Sequence, residues 1–222
     1  MKILATILTY NRYNLLMRCV NFIKSQTYKD FDLFVINNGS TDQTESFLLK
    51  NKIKYKNIPK TGSAAGWYEC FEVALKGNYT HIWMMDDDGY PSLEALKELV
   101  SGIENNICVS SLLVNENHHN HLVFSFKDKN FRNINKANQI KASKVEHVHF
   151  FNGCLINLDL IKRKNLINKD YYHHGVEVDF LFKIKKYGKI ATLKKSIHFH
   201  PAVNKRNIGN LWVYYYLRNS II

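Results

Sequence analysis

The sequence predicts an α/β fold: a mostly parallel, Rossmann-like sheet flanked by helices in a single domain. Apolar runs of strand length alternate at short intervals with segments of helical periodicity, which implies parallel strands joined by right-handed crossovers. Polar clusters follow the ends of three of those runs, and open α/β sheets bind ligands outside the carboxyl ends of their strands. The chain has 222 residues, 45% hydrophobic and 23% charged, enough to bury one sizeable core.

Residues 2–9 (KILATILT) are β-branched and apolar without a turn residue, as expected of a buried first strand. Residues 13–26 set Leu15, Leu16, Cys19, Val20 and Ile23 at helical spacing. A second strand is expected over 31–38, closed by GSTD (39–42), where Thr41 or Asp42 can cap the next helix. Residues 52–58 read as a third strand, 67–77 as a helix and 80–85 as a fourth strand. A helix over 91–104 has Pro91 at its start. Thr9–Arg12, Asn37–Gly39 and Asp86–Asp88 therefore end strands and should converge.

The second half is less regular. Residues 107–114 predict a strand, while 115–144, polar and rich in Asn and Lys, read as a mobile or acceptor-facing segment. FFNGCLINLDLI (150–161) returns to the core. Residues 176–188 predict a helix ending in glycine, followed by two short strands, KIATL and SIHFH. The aromatic tail GNLWVYYYLRNSII is helical in character, and an end inside such a segment suggests a missing carboxy-terminal piece.

No window approaches the roughly 18 apolar residues of a membrane span. The start has a short apolar run but no small-residue cleavage site, so it reads as a strand rather than a signal peptide. Cys19, Cys70, Cys108 and Cys154 are far apart, which argues for reduced, mostly buried thiols in a cytoplasmic protein and against a zinc site. A net charge of +12 fits solvated lysines, a polyanionic ligand, nucleic acid or an anionic membrane surface, and does not choose among them.

In IWMMDDDGYP (82–91), Asp86, Asp87 and Asp88 follow an apolar strand directly. Adjacent carboxylates repel. Such a cluster can hold a divalent cation through oxygen ligands, act in acid–base chemistry, or form a solvated face paired with lysines. Mg²⁺ or Mn²⁺ takes one or two carboxylates and completes its shell with phosphate and water, and a diphosphate held that way leaves more readily.

TYNR (9–12), NNGSTDQT (37–44), GSAAGW (62–67) and MDDDGYP (85–91) together resemble the nucleotide-sugar-binding half of family 2 glycosyltransferases, which have the GT-A fold. MDDDG is similar to the galactofuranosyl- and rhamnosyl-transferase branch, as is YYYLRN (214–219). The resemblance implies a donor half over 1–114 and an acceptor half over 115–222. It implies an inverting, Mn²⁺- or Mg²⁺-dependent transfer from UDP-galactofuranose or dTDP-rhamnose in bacterial cell-surface polysaccharide synthesis. The acceptor would be a glycan or a polyprenyl-diphosphate-linked glycan at the inner membrane leaflet, which the basic surface and aromatic tail would help reach.

Residue by residue, the resemblance puts Thr9, Asn11 and Arg12 in the nucleotide pocket, with Asn38 near the base or ribose. Gly66 would let the backbone approach the donor and Trp67 would stand at the sugar pocket, in a loop where relatives show a second glycine. Asp86 and Asp87 would bind the donor nucleotide, Asp86 facing ribose or metal, and Asp88 would ligate the metal with His200, or alternatively His198. HHGVEVDF (173–180) matches the family's D-D-x-E-F with Val176 at the first acid. Glu177 then falls on the base position and Asp179 would hold the acceptor, or serve as the base itself. Simple helix capping by these two acids is the alternative. Asn152 and Gly153 resemble an acceptor-side turn, and His173 and His174 stand where relatives carry an acceptor-pocket aromatic.

Two other classes compete. A nucleotidyltransferase would carry a glycine-rich, lysine-containing loop after the first strand, which TYNR lacks. A non-catalytic basic protein binding nucleic acid or membrane would explain the charge but not the aspartates, which repel a phosphate backbone without a bridging metal. No nucleic-acid partner is therefore expected.

Overall fold

The computed structural model describes residues 1–161, 166–172, 175–203 and 210–221. The chain runs β1 (Ile3–Thr9), α1 (Tyr13–Lys24), β2 (Phe31–Asn37), α2 (Thr44–Lys50), β3 (Lys54–Asn57), α3 (Ser63–Lys76) and β4 (His81–Asp86). It continues through β5 (Tyr90–Pro91), α4 (Ala95–Gly102), β6 (Asn106–Asn115), β7 (His121–Lys127), β8 (Asn133–Lys136), β9 (Lys144–Val145) and β10 (Asn152–Asn157). It closes with α5 (Val176–Ile184), β11 (Lys189–His200) and α6 (Asn210–Ile221).

The sheet order is β3-β2-β1-β4-β10-β6-β11-β5. β1 to β4 are mutually parallel, β10 runs against both of its neighbours, and β11 lies parallel to β6. β1 shows why helices must cover both faces. Ile3, Ala5 and Ile7 pack on one side with Leu16, Cys19, Val20 and Ile23 of α1 and Leu96 and Leu99 of α4. Leu4 and Leu8 pack on the other with α3 and α5, through Trp67, Phe71 and Phe180. All seven β1 residues are buried, as expected for a two-faced parallel strand. The four cysteines are buried free thiols.

Four expectations about elements need correction. α3 begins at Ser63, so GSAAGW is mostly the first turn of a helix rather than a loop. Pro91 does not start a helix: Tyr90 and Pro91 pair with Phe199 and His198 as β5, and α4 begins at Ala95. Tyr90 is held between Phe22 and Phe199, at 4.4 and 5.2 Å between ring centroids, and this packing outweighs the helix-start preference of proline. KIATL and SIHFH are one strand, β11, with a register break against β6 between Leu193 and Ile197. Ser196 is buried in that break, bonded to Ser111 and to the Ala95 carbonyl, so the intervening KKS reads as a gap in a continuous strand. Finally, 115–144 contains the β7–β8 hairpin, anchored on β6 and packed inward through Phe126 and Ile140.

Candidate functional site

Parallel register brings the predicted clusters together: Thr9 pairs with Asn37, and Leu8 with Asp86. Beyond the strand ends, Asn11 takes a left-handed φ of 50°, a conformation its short side chain tolerates. Its Oδ1 accepts from Thr41 N at 2.7 Å, and its own N–H donates to Ser40 Oγ at 3.0 Å. Asp42 completes the tie by accepting from Tyr13 N and Thr44 N, each at 3.0 Å. One carboxylate thus serves the starts of both α1 and α2.

The three aspartates have distinct surroundings. Asp87 is buried, accepting from Thr9 Oγ1 at 2.7 Å and from Arg12 Nη1 at 3.0 Å. Burial raises its pKa to about 6 against the pull of Arg12 and Thr9. Arg12 Nη1 also reaches Asp88 Oδ2 at 2.8 Å, so one guanidinium nitrogen offsets two carboxylates. Asp88 is partly desolvated, yet facing His200 and Arg12 its pKa falls to about 2. Asp86 is pushed well up by desolvation and by Asp88 and Asp87, with a further contribution from the charge of Glu177.

β11 delivers two histidines to this edge with different surroundings. His200 puts Nδ1 2.7 Å from the Pro201 carbonyl and Nε2 3.3 Å from Asp88 Oδ1. Assigning the Nδ1 proton to the Pro201 bond leaves the Nε2 lone pair of the neutral ring facing Asp88, the arrangement in which a carbonyl orients a metal-binding imidazole. Desolvation opposes a charged His200, but the carboxylate beside it raises its pKa. Asp88 Oδ1 is buried and makes no aligned hydrogen bond.

His198 is fully buried with no hydrogen bond on either ring nitrogen, and desolvation lowers its pKa to about 3. Two glycines make room for the ring. A Cβ on Gly89 would fall 2.3 Å from His198 Nε2, and one on Gly153, at φ +76°, would fall 2.8 Å from Nδ1. Gly89 of DDDG and Gly153 of FNGC are therefore two sides of one slot.

Two ligand atoms thus stand together, Asp88 Oδ1 and His200 Nε2. No group of three His, Cys, Asp or Glu among the described residues is poised to hold a metal, so Asp86 does not complete the expected trio. Two protein ligands with the rest from phosphate and water suit Mg²⁺ or Mn²⁺, and the donor set fits such an ion.

α5 presents Glu177 and Asp179 in its first turn. Asp179 is held by Lys183 Nζ at 2.6 Å. Glu177 lies on a solvent-open face yet is surrounded closely enough for desolvation to raise its pKa. No ion pair among the described residues engages it.

Other expectations meet different surroundings. Trp67 is 2% exposed and stacks on Phe151 at 4.5 Å, so it is core rather than pocket wall. Gly66 is small because a Cβ would fall 2.3 Å from Leu8 Cδ1, so α3 packing on β1 explains it instead of donor approach. Asn38 is buried with its amide committed to the 61–62 backbone, donating to Gly62 O and accepting from Thr61 N. Asn152 donates to the Phe150 carbonyl at 3.0 Å, and its Oδ1 is buried without a partner. His173 and His174 lie outside the described residues.

Sequence reading missed Arg18 and Glu116. Arg18 donates to the Asp88 carbonyl at 2.7 Å, pairs with Glu116 at 2.6 Å and lies over the Tyr90 ring. Glu116 was findable: it follows β6, whose carboxyl end reaches the same edge, so the rule that located the other clusters applied there too. Arg18 carried no distinctive signal within a helix.

The sequence matches the model of Glycosyl transferase family 2 over residues 5–163. It is 33% identical over 83 residues to the uncharacterized glycosyltransferase RP339 of Rickettsia prowazekii (strain Madrid E), covering 36% of this chain and 26% of that protein. S. aureus TarS superposes with a TM-score of 0.64 at 19% identity, over 90% of this chain and 37% of that one. GalNAc-T7, crystallised with UDP, GalNAc and Mn²⁺, superposes with a TM-score of 0.68 at 14% identity, over 100% of this chain and 48% of that one. The chain spans about a quarter of the curated relative and under half of these two structures. The fold is GT-A, and the chain belongs to glycosyl transferase family 2.

Proposed function

We propose that the protein transfers a sugar, with inversion, from a nucleoside-diphosphate donor to a hydroxyl of a glycan or lipid-linked glycan at an anionic membrane face. The observation that carries this reading is the meeting of Asp88 and His200 beside Asp86, with Glu177 within electrostatic reach. Asp88 and His200 would hold Mg²⁺ or Mn²⁺, which when bound offsets charge on the departing diphosphate. Arg12, already shared between Asp87 and Asp88, is placed to hold a phosphate oxygen. Thr9 orients Asp87 from below, and Asp86 faces the ribose.

Glu177 takes the proton of the attacking hydroxyl. Its raised pKa suits a base that must hold that proton through the displacement. Asp179, tied to Lys183, holds the acceptor rather than the proton. Asn152 and Gly153 bound the acceptor side.

UDP-galactofuranose and dTDP-rhamnose are the first donors to try, on the resemblance of MDDDG. S. aureus TarS was crystallised with UDP-GlcNAc, which adds UDP-N-acetylhexosamines to the panel. The test is thermal stabilisation by UDP or dTDP with and without Mn²⁺, followed by hydrolysis and transfer with that panel. Metal-dependent stabilisation and turnover of one donor are expected. A chain that no nucleotide stabilises in either condition would end the proposal.

A further inference from the structure

We propose that the β7–β8 hairpin docks the protein on an anionic lipid bilayer, Phe131 entering the interface while the basic residues around it meet the head groups. The turn at its tip is closely bonded. Phe131 N donates to the Asp128 carbonyl, and Asp128 N donates to the Arg132 carbonyl, each at 3.0 Å. Asp128 Oδ1 accepts from Asn130 N at 2.8 Å and from Arg132 N at 2.9 Å. This turn holds Phe131 at φ +60°, a conformation that side chains beyond glycine, asparagine and aspartate rarely adopt, and leaves it 83% exposed. An exposed aromatic alone is ordinary. A bulky aromatic held outward by a strained, bonded turn is not.

The charge around it gives the partner's chemistry. Residues 121–144 carry six Lys and Arg against one acid, five of the net +12 charges in a short stretch of chain. Lys127, Lys129, Arg132, Lys136, Lys141 and Lys144 are all exposed, and none joins an ion pair among the described residues. The single acid, Asp128, is occupied by the turn's own amides. On the inner side of the hairpin Phe126, Leu122 and Ile134 pack with Leu112, Val114 and Phe199, and Phe131 takes no part in that cluster. Apolar tip, basic collar and rigid anchor together match the interface of an anionic bilayer, where aromatic side chains settle at head-group depth and each cation adds affinity.

This inference rests only on the membrane-facing part of the functional reading. The test is co-sedimentation of the full chain with phosphatidylcholine vesicles with and without phosphatidylglycerol. Binding is expected only with the anionic lipid, and should fade at high salt as screening shortens. Neutralising Lys127, Lys129 and Arg132 to Gln should weaken it about a hundredfold, at about fivefold per cation. Phe131→Ser should weaken it about tenfold. Phe131→Trp guards against a folding artefact: it should bind as the unsubstituted chain does, and brominated lipid should quench the added fluorescence.

Equal binding to neutral vesicles, hairpin variants that sediment normally, or loss through Leu217→Ser in α6 instead would overturn the proposal. So would retention of RNA that depends on Phe131 without vesicle binding. Donor hydrolysis, measured in parallel without vesicles, separates the two claims. Hydrolysis without sedimentation removes the docking alone, and sedimentation without hydrolysis removes the transfer alone.

Discussion

Between β1 and β4 the side chains facing the cleft hang from neighbouring parallel strands, and each follows its strand end within a few residues. Beyond β6 they arrive by longer routes: His200 at the end of a strand with a broken register, Glu177 on a helix start, Gly153 in a bulge. The first region is set by local alternation and crossover handedness. The second depends on pairing between segments far apart in the chain, and it supplies Glu177, the base we propose, and His200, one of the two side chains proposed to face the metal. A doubly covered parallel sheet therefore builds the strand-end edge on which we place the nucleotide, while the later segments bring the side chains to which the proposal gives the chemistry.

The largest effect expected from breaking this division lies in the second region. Glu177→Gln should lower transfer about a thousandfold, within the range of a lost general base, with UDP affinity by calorimetry unchanged. A comparable loss from Asp179→Asn would move the base. Next, in the first region, Trp67→Ala should cost roughly 3–5 kcal/mol in urea unfolding, as for a buried aromatic, with no change in donor KM among molecules that stay folded. A KM effect alone would restore Trp67 to the sugar pocket. Gly66→Ala should cost about 1–3 kcal/mol through its clash with Leu8.

A pH measurement probes the second region more gently. His149 has Nε2 buried without a partner, and desolvation, helped by His147, lowers its pKa to about 3. Above the ordinary histidine value of about 6.5 both folded and unfolded chains are neutral there, so the group contributes nothing. Between about 6.5 and 3 only the unfolded chain binds the proton, so stability falls with falling pH by up to about 1.4 kcal/mol per unit. His149→Gln should lessen the slope of the urea-midpoint profile in that window, with the like contribution of buried His198 remaining, and an unchanged slope would place the proton uptake elsewhere. The smallest effect is on stability in Asp179→Asn, which loses an i,i+4 pair with Lys183 of at most about 0.5 kcal/mol.

The same division explains what could be read in advance. The order of β1 to β4, the convergence of TYNR, NNGS and DDDG, and the carboxylates of α5 were legible because period and strand ends are local properties. The start of α3, the fate of Pro91 and the continuity of β11 were not. Each is decided by a partner distant in sequence: Leu8 beneath Gly66, Phe199 beside Tyr90, Ser111 bonded to Ser196. Trp67 was misplaced for a related reason, since a motif position cannot show which way a helix turns its side chains. The two histidines of SIHFHP share a strand face, and only depth separates them, with His200 at the edge and His198 beneath it.

The slot around His198 has a consequence for how this corner can change over generations. Imidazole, Gly89 and Gly153 fill one volume, so an added methyl on Gly89 must be matched by a smaller ring or none at position 198, while Gly153, at φ +76°, is held to glycine by its backbone whatever stands there. Single substitutions at Gly89 should be rejected where ones paired with position 198 survive. The loop of aspartates and the end of β11, remote in the chain, are thereby bound to drift in step.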